Sequence, residues 1–322
     1  MIVKCRMMRM NDIIRYITVF IFFVFNSFFS WGQVIEQPIP NNPEEVYSLP
    51  LVPNRCQTVQ ARAEYVLSHY WDGYNFSPIS VQKFQSVSEQ CLVNYLDLLS
   101  HFPDFAKQSI LNFLAKLRSH NLVVYRFYMN LLESYLYDPS SPMHNESLYI
   151  PFLQDFTKDS KVTKLEKQRY VFQLEVAMRN QPGCKATNFI YTLMDGTQHA
   201  LYDLKGKYTL LYINNPDCKN CQNVKRIFMQ KAFSSLFKNG KVTLLSLFPD
   251  PELDIWEKAL KNNYFPNYWI VAYDQESYIS ENNLYDLRRM PTMYLLDKNK
   301  KVILKDASIS EIESYLRLKS II

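Results

Sequence analysis

The chain has 322 residues, enough for two domains, and with 21 Phe and 23 Tyr its composition is that of a folded protein rather than a disordered one. Only six glycines occur and none forms a Walker-type or dinucleotide-binding motif, so phosphate-cradling loops are excluded. The formal charge of +5 shrinks to 32 basic against 30 acidic residues once positions 1–32 are set aside, which leaves no electrostatic case for nucleic acid as a partner.

Residues 1–32 have the pattern of an export signal. Lys4, Arg6, Arg9 and Arg15 form a basic start, residues 16–29 are almost wholly apolar, and Ser30-Trp31-Gly32 offers small residues for cleavage before Gln33. The apolar run is short for a membrane span, which needs about 20 residues. The expectation is a cleaved signal and a periplasmic protein, touching the membrane through this segment only if it stays uncleaved. Five cysteines then remain, at 56, 91, 184, 218 and 221, an odd count in a disulfide-permissive compartment.

Residues 33–55 carry five prolines and read as an extended linker. From 56 to 180 the apolar spacing is helical throughout. Runs at 58–71, 81–102, 103–120, 122–137, 145–156 and 164–179 predict an all-α domain of about six helices with short connections. His69, His101 and His120 stand singly and read as structural, and the many Tyr and Phe read as core. Asn145-Glu146-Ser147 matches a glycosylation sequon but reads more simply as helix capping. Cys56 and Cys91 either pair, if the first two helices lie antiparallel, or are two separate buried thiols.

The texture changes at Gln181-Pro182-Gly183, where the domain boundary is placed. Strands and helices alternate over 181–322: a hairpin of strands at 188–194 and 198–202 around Asp195-Gly196, a strand at 207–213, a helix at 218–237, a strand at 242–248, a helix at 252–261, a strand at 268–273, and a short helix at 277–287. A second hairpin spans 292–304 and a closing helix spans 309–318. This predicts an α/β sandwich with a mixed sheet.

The chemistry sits where the strand ending at Ile213 gives way to Cys218-Lys219-Asn220-Cys221. A helix start offers free N–H groups and partial positive charge, which favour a thiolate. Cys218 is therefore the candidate nucleophile and Cys221, one turn later, the resolving thiol. Lys219 and Asp217 are charged neighbours of opposite sign that tune the site. Zinc would need two further ligands, and covalent haem a histidine at position 222, which is Gln; no metal and no cofactor are expected. The bland alternative is a structural disulfide.

Cys218-Lys219-Asn220-Cys221 after a buried strand, with Arg289-Met290-Pro291-Thr292 before a later strand, resembles the thioredoxin superfamily. Gly183 to Phe189, Asp195-Gly196 and Leu201 to Tyr208 are similar to the extra N-terminal hairpin of exported TlpA/ResA-like and AhpC/TSA-type members. The resemblance covers about residues 181–322. It implies a thioredoxin-like fold, a cis Pro291, and a substrate segment that pairs at Met290, Pro291 and Thr292. It further implies thiol-disulfide oxidoreductase activity, with protein thiols and disulfides and a membrane redox donor as partners. The whole chain resembles a Gram-negative exported architecture in which a helical domain of unknown function precedes this module.

Three positions depart from the family pattern. Asp217 replaces the usual aromatic residue, Tyr212 stands where a buried acid is usual, and Lys219-Asn220 replaces Gly-Pro. A peroxiredoxin would carry threonine where Asn215 stands, so thiol peroxidase activity is the weaker alternative. The other alternative is a non-catalytic scaffold whose helical domain binds a partner. Cys184, at the junction, is either a passive linker thiol or an accessory exchanging thiol.

Overall fold

A computed structural model describes residues 47–321 apart from 251 and 263; the signal segment and the first part of the linker lie outside the described residues. Residues 47–53 carry no regular structure, yet Tyr47 packs its ring 5.3 Å from that of Tyr70, so the end of the linker is seated on the helical core.

The helical layer is built from α1 (Val59–His69), α2 (Pro78–Lys83), α3 (Gln85–His101), α4 (Pro103–Ser119), α5 (Leu122–Leu132), α6 (Glu146–Lys158) and α7 (Lys164–Met178). Local chemistry starts them. Thr58, Ser77, Asn121, Asn145 and Thr163 each turn a side-chain oxygen to a free N–H of the first turn, and Pro103 opens α4. Asn145 of the sequon is thus a helix cap. The run expected at 81–102 is divided: Phe84 leaves helical geometry (φ −124°, ψ 48°), ending α2 and beginning α3. α5 continues into a wider π-turn, Glu133–Tyr137.

Aromatic rings fill this layer. Trp71 stacks on Phe113 at 4.2 Å, ringed by Tyr70, Tyr74, Tyr95 and Tyr128. Several buried tyrosine hydroxyls find partners: Tyr70 donates to the Cys91 carbonyl (2.9 Å) and Tyr95 pairs with Ser109 (2.8 Å). His69, His101 and His120 each bond the carbonyl four residues back. Cys56 and Cys91 are free thiols, the second buried.

The α/β layer contains β1 (Ile190–Leu193), β2 (Gln198–Ala200), β3 (Tyr208–Ile213), α8 (Lys219–Phe228), α9 (Lys231–Lys238), β4 (Val242–Phe248), α10 (Leu253–Asn262), β5 (Ile270–Tyr273), α11 (Tyr278–Glu281), β6 (Thr292–Asp297), β7 (Val302–Leu304) and α12 (Ile309–Leu318). The seven strands form one sheet in the order β2-β1-β5-β4-β3-β6-β7. β3, β4 and β5 run parallel, while β6, β7, β1 and β2 pair antiparallel.

Every residue of β3 is buried, because the sheet is covered on both faces. Alternate side chains divide between two cores. Leu210 and Tyr212 join Phe228, Phe237 and Ile312; Leu211 and Ile213 join Phe189, Tyr285 and Tyr294. Gly206, at φ 137°, lies where an added Cβ would stand 2.5 Å from Thr243 Oγ1, so the entry to β3 requires glycine.

Three local expectations change. The helix expected at 218–237 is divided into α8 and α9, because Gln230 leaves helical geometry (φ −68°, ψ 155°). The strand expected at 198–202 ends at Ala200, because Asp203 accepts from the Ala200 N–H and folds 201–203 into a 3-10 turn. The helix expected at 277–287 stops at Glu281, because Asn283 takes left-handed geometry (φ 49°) and breaks the ladder.

The helical and α/β layers belong to one compact unit. Polar side chains join them at helix ends. Lys305 donates to the Ala177 and Arg179 carbonyls at the end of α7 and pairs with Glu146 in the first turn of α6. Arg179 bonds the carbonyls of Asn282 and Asn283, and Asn180 that of Leu284.

Candidate active site

β3 delivers the chain to the site and a polar turn redirects it. Asn214 Nδ2 donates to Ser246 Oγ on the neighbouring strand (2.9 Å). Asn215 accepts from the N–H of Asp217 through its side chain (2.9 Å) and from that of Cys218 through its carbonyl (3.1 Å). Cys218 then occupies the N-cap of α8 in extended geometry, and its Sγ accepts the Cys221 N–H at 3.3 Å. A capping sulfur so placed receives a first-turn amide and the positive end of the helix.

The two thiols differ sharply. Cys218 is half-buried, whereas Cys221 is 2% exposed. Burial, with a smaller contribution from its hydrogen bond to Cys218, pushes the Cys221 thiol up to about 12. At neutral pH Cys221 is a protonated thiol beneath a solvent-facing one. Such a pair has the form needed to carry a mixed disulfide on the outer sulfur and resolve it from the inner.

Facing them is the segment before β6. The Met290–Pro291 peptide bond is cis, and Cys218 Sγ donates to the Met290 carbonyl at 3.6 Å. Thr292 is fully buried, and its hydroxyl donates inward to the Arg289 (2.6 Å) and Asp286 (2.9 Å) carbonyls. Its side chain shapes the loop, while Met290 and Pro291 are partly exposed. Asp217 and Lys219 are exposed beside Cys218. Tyr212, one strand residue before the turn, donates its buried hydroxyl to the Cys221 carbonyl at 2.7 Å. Burial and the neighbouring thiols hold that phenol above its ordinary range. Cys184 is exposed, one residue before the Lys185–Lys301 bridge beside β7.

Residues with no sequence signal complete the surroundings. Arg288 and Asp286 lie three and five residues before Pro291; Arg288 bonds the Tyr137 carbonyl and Arg289 the Pro139 carbonyl of the helical layer, across some 150 positions. His144, Glu146, Lys305 and Asp306 gather nearby. Among the described residues no three His, Cys, Asp or Glu side chains form a group suited to a metal ion, and no helix is long and apolar enough to cross a membrane.

Residues 30–180 match a domain of unknown function, DUF5106. The thiol-disulfide oxidoreductase ResA of Bacillus thuringiensis (strain Al Hakam) is 32% identical over 143 residues, covering 42% of this chain and 78% of that protein. The ResA of Geobacillus kaustophilus is 27% identical over 138 residues, covering 42% and 75%. A crystal structure of a thioredoxin-like protein from Bacteroides caccae is 40% identical and superposes with a TM-score of 0.79, covering 84% of this chain and 98% of that one.

Proposed function

The chain belongs to the ResA family of thiol-disulfide oxidoreductases, and from that membership we propose that Cys218 and Cys221 are its redox pair, exchanging electrons with the thiols and disulfides of other proteins. The observation that carries this reading is the asymmetry of the pair. A half-buried sulfur caps a helix and faces the Met290 carbonyl, above a second sulfur that is 2% exposed.

In the reducing direction the Cys218 thiolate attacks one sulfur of a substrate disulfide. A bond forms between Cys218 and that sulfur, and the other substrate sulfur leaves as a thiolate that takes a proton from water. Cys221 then gives up its proton and attacks Cys218 Sγ. This forms the Cys218–Cys221 disulfide and releases the second substrate thiol. Two electrons have passed from the protein's dithiol to the substrate, and a redox donor at the membrane would restore them. The reverse sequence oxidises a substrate dithiol.

Burial, with a smaller contribution from the hydrogen bond to Cys218, keeps the Cys221 thiol protonated, so it must release its proton before it attacks. The substrate segment is proposed to run along Met290 and Pro291, with Thr292 holding the loop from within and with Asp217 and Lys219 as charged neighbours of the attacking sulfur. The proposed setting is the periplasm, reached through the export pattern of residues 1–32.

The test is reduction of oxidised insulin by the pre-reduced protein. Cys218→Ser should abolish exchange, and Cys221→Ser should accumulate a mixed disulfide with the substrate. Exchange at the wild-type rate in Cys218→Ser refutes the assignment.

A further inference from the structure

The helical layer ends at the redox site in a way that gives it a task. The π-turn Glu133–Tyr137 terminates α5, and the last carbonyls of a helix have no donor within it. Ser141 Oγ supplies one to Tyr135 (2.7 Å) and the Asn145 N–H one to Leu136 (3.0 Å). The Tyr137 carbonyl is served from the other layer: Arg288 Nη1 donates to it at 2.9 Å. The Arg288 guanidinium also lies 3.6 Å from the centroid of the Tyr137 ring. Helix end and aromatic face together form a seat for a planar cation.

Arg288 is fixed from below as well. Its Nε donates to both carboxylate oxygens of Asp286, at 2.9 and 3.0 Å. The Asp286 side chain is 9% exposed; burial alone would raise its carboxyl, but the Arg288 bonds outweigh that and hold it below its ordinary range. The Asp286 carbonyl in turn accepts Thr292 Oγ1. Arg289 adds a longer bond of 3.4 Å to the Pro139 carbonyl. The segment 286–292 is thus tied at Asp286, Arg288, Arg289 and Thr292, and Met290, facing Cys218, lies inside the ties.

Packing alone does not fix this segment. A cleft of about 240 Å³ opens behind it, lined by Tyr137, Phe172, Val176, Tyr285, Leu287 and Arg288. With open space on one side and Leu287 and Met290 only partly buried against the sheet core, directed bonds are needed to fix the loop's register.

We infer that Arg288 is a positioning residue for thiol-disulfide exchange: through the Tyr137 seat the helical domain braces the Met290–Pro291 edge against Cys218, and so sets the register in which an extended substrate segment is held. The inference rests on the assignment of Cys218 as the attacking thiol. A misplacement of about 1 Å at a reacting centre costs on the order of a hundredfold in rate, so the brace acts on large extended substrates and not on the intrinsic reactivity of the sulfur.

The test uses the full chain and two probes, iodoacetamide alkylation of Cys218 and reduction of an extended peptide carrying a disulfide. The variant Arg288→Met with Asp286→Asn removes the clamp without stranding a buried charge; Tyr137→Leu removes the aromatic seat and leaves the Arg288–Asp286 pair, and carries the same test if the first variant fails to fold. In folded protein, judged by circular dichroism, alkylation should stay within about twofold of wild type, while kcat/KM for the peptide falls by roughly 10- to 100-fold. Peptide reduction at the wild-type kcat/KM, or an equal fall in alkylation and peptide reduction, overturns the brace. Wild-type exchange that survives Cys218→Ser would instead overturn the assignment beneath it.

Discussion

Lys305→Met is the most demanding perturbation of the joint between the layers. Lys305 Nζ lies 2.7 Å from Glu146 Oε2 and 2.8 Å from each of the Ala177 and Arg179 carbonyls. All three ammonium donors are therefore engaged, and the two side chains are only 7% and 10% exposed. Methionine fills nearly the same volume but supplies no donor. It leaves a buried carboxylate without its cation and two carbonyls near the end of α7 without a partner. Breaking a buried pair on one side costs about 3–5 kcal/mol. Glu146 sits in the first turn of α6, where the helix dipole returns about 0.3–1 kcal/mol. The expected loss is therefore about 3–4 kcal/mol in urea unfolding followed by circular dichroism and by fluorescence of the buried Trp71 and Trp269. Adding Glu146→Gln should recover about half, since the stranded charge is then gone. A loss below about 1 kcal/mol, or a double variant less stable than the single one, would refute the reasoning.

Two further outcomes follow from buried groups beside the site. Burial, together with the Asp286 and Glu146 carboxylates and against His144 and Arg289, pushes Asp306 from 3.8 up to about 6. The folded state then holds this proton more tightly than the unfolded state, so the group's contribution falls as pH rises from about 4 to 6 and stays lost above. Asp306→Asn, at a left-handed position (φ 48°) that asparagine tolerates, should stabilise the protein by up to about 3 kcal/mol at pH 7.5 and little at pH 4; equal melting shifts at the two pH values would count against it. Tyr212→Phe removes the 2.7 Å bond to the Cys221 carbonyl and should cost about 1 kcal/mol in urea midpoint analysis. A neutral result would mean that the hydroxyl does not hold the first turn of α8.

Local features of this chain were legible because their causes lie within a few residues. Helical spacing, capping side chains and the continuous apolar run of β3 depend on neighbours within four positions. So does the junction at Cys218, where a strand, a polar turn and a helix start follow one another directly. These were sufficient for an all-α part, an α/β part with a mixed sheet, and a Cys-x-x-Cys at a helix N-terminus. The division of 81–102 at Phe84 and the short α11 were not legible, because single backbone angles override an otherwise continuous pattern.

The sequence by itself determined the two sulfurs, their order on the helix and the cis-proline segment's candidacy as their counterpart. Only the tertiary structure decided that Thr292 turns inward, that the Tyr212 hydroxyl is spent on the Cys221 carbonyl, and that the helical layer grips the loop through Arg288. Arg288 and Tyr137 are 151 positions apart. A helix end lacking donors and a guanidinium seeking acceptors leave no periodic trace in sequence. Their pairing exists because the folded layers bring them within 3 Å of each other.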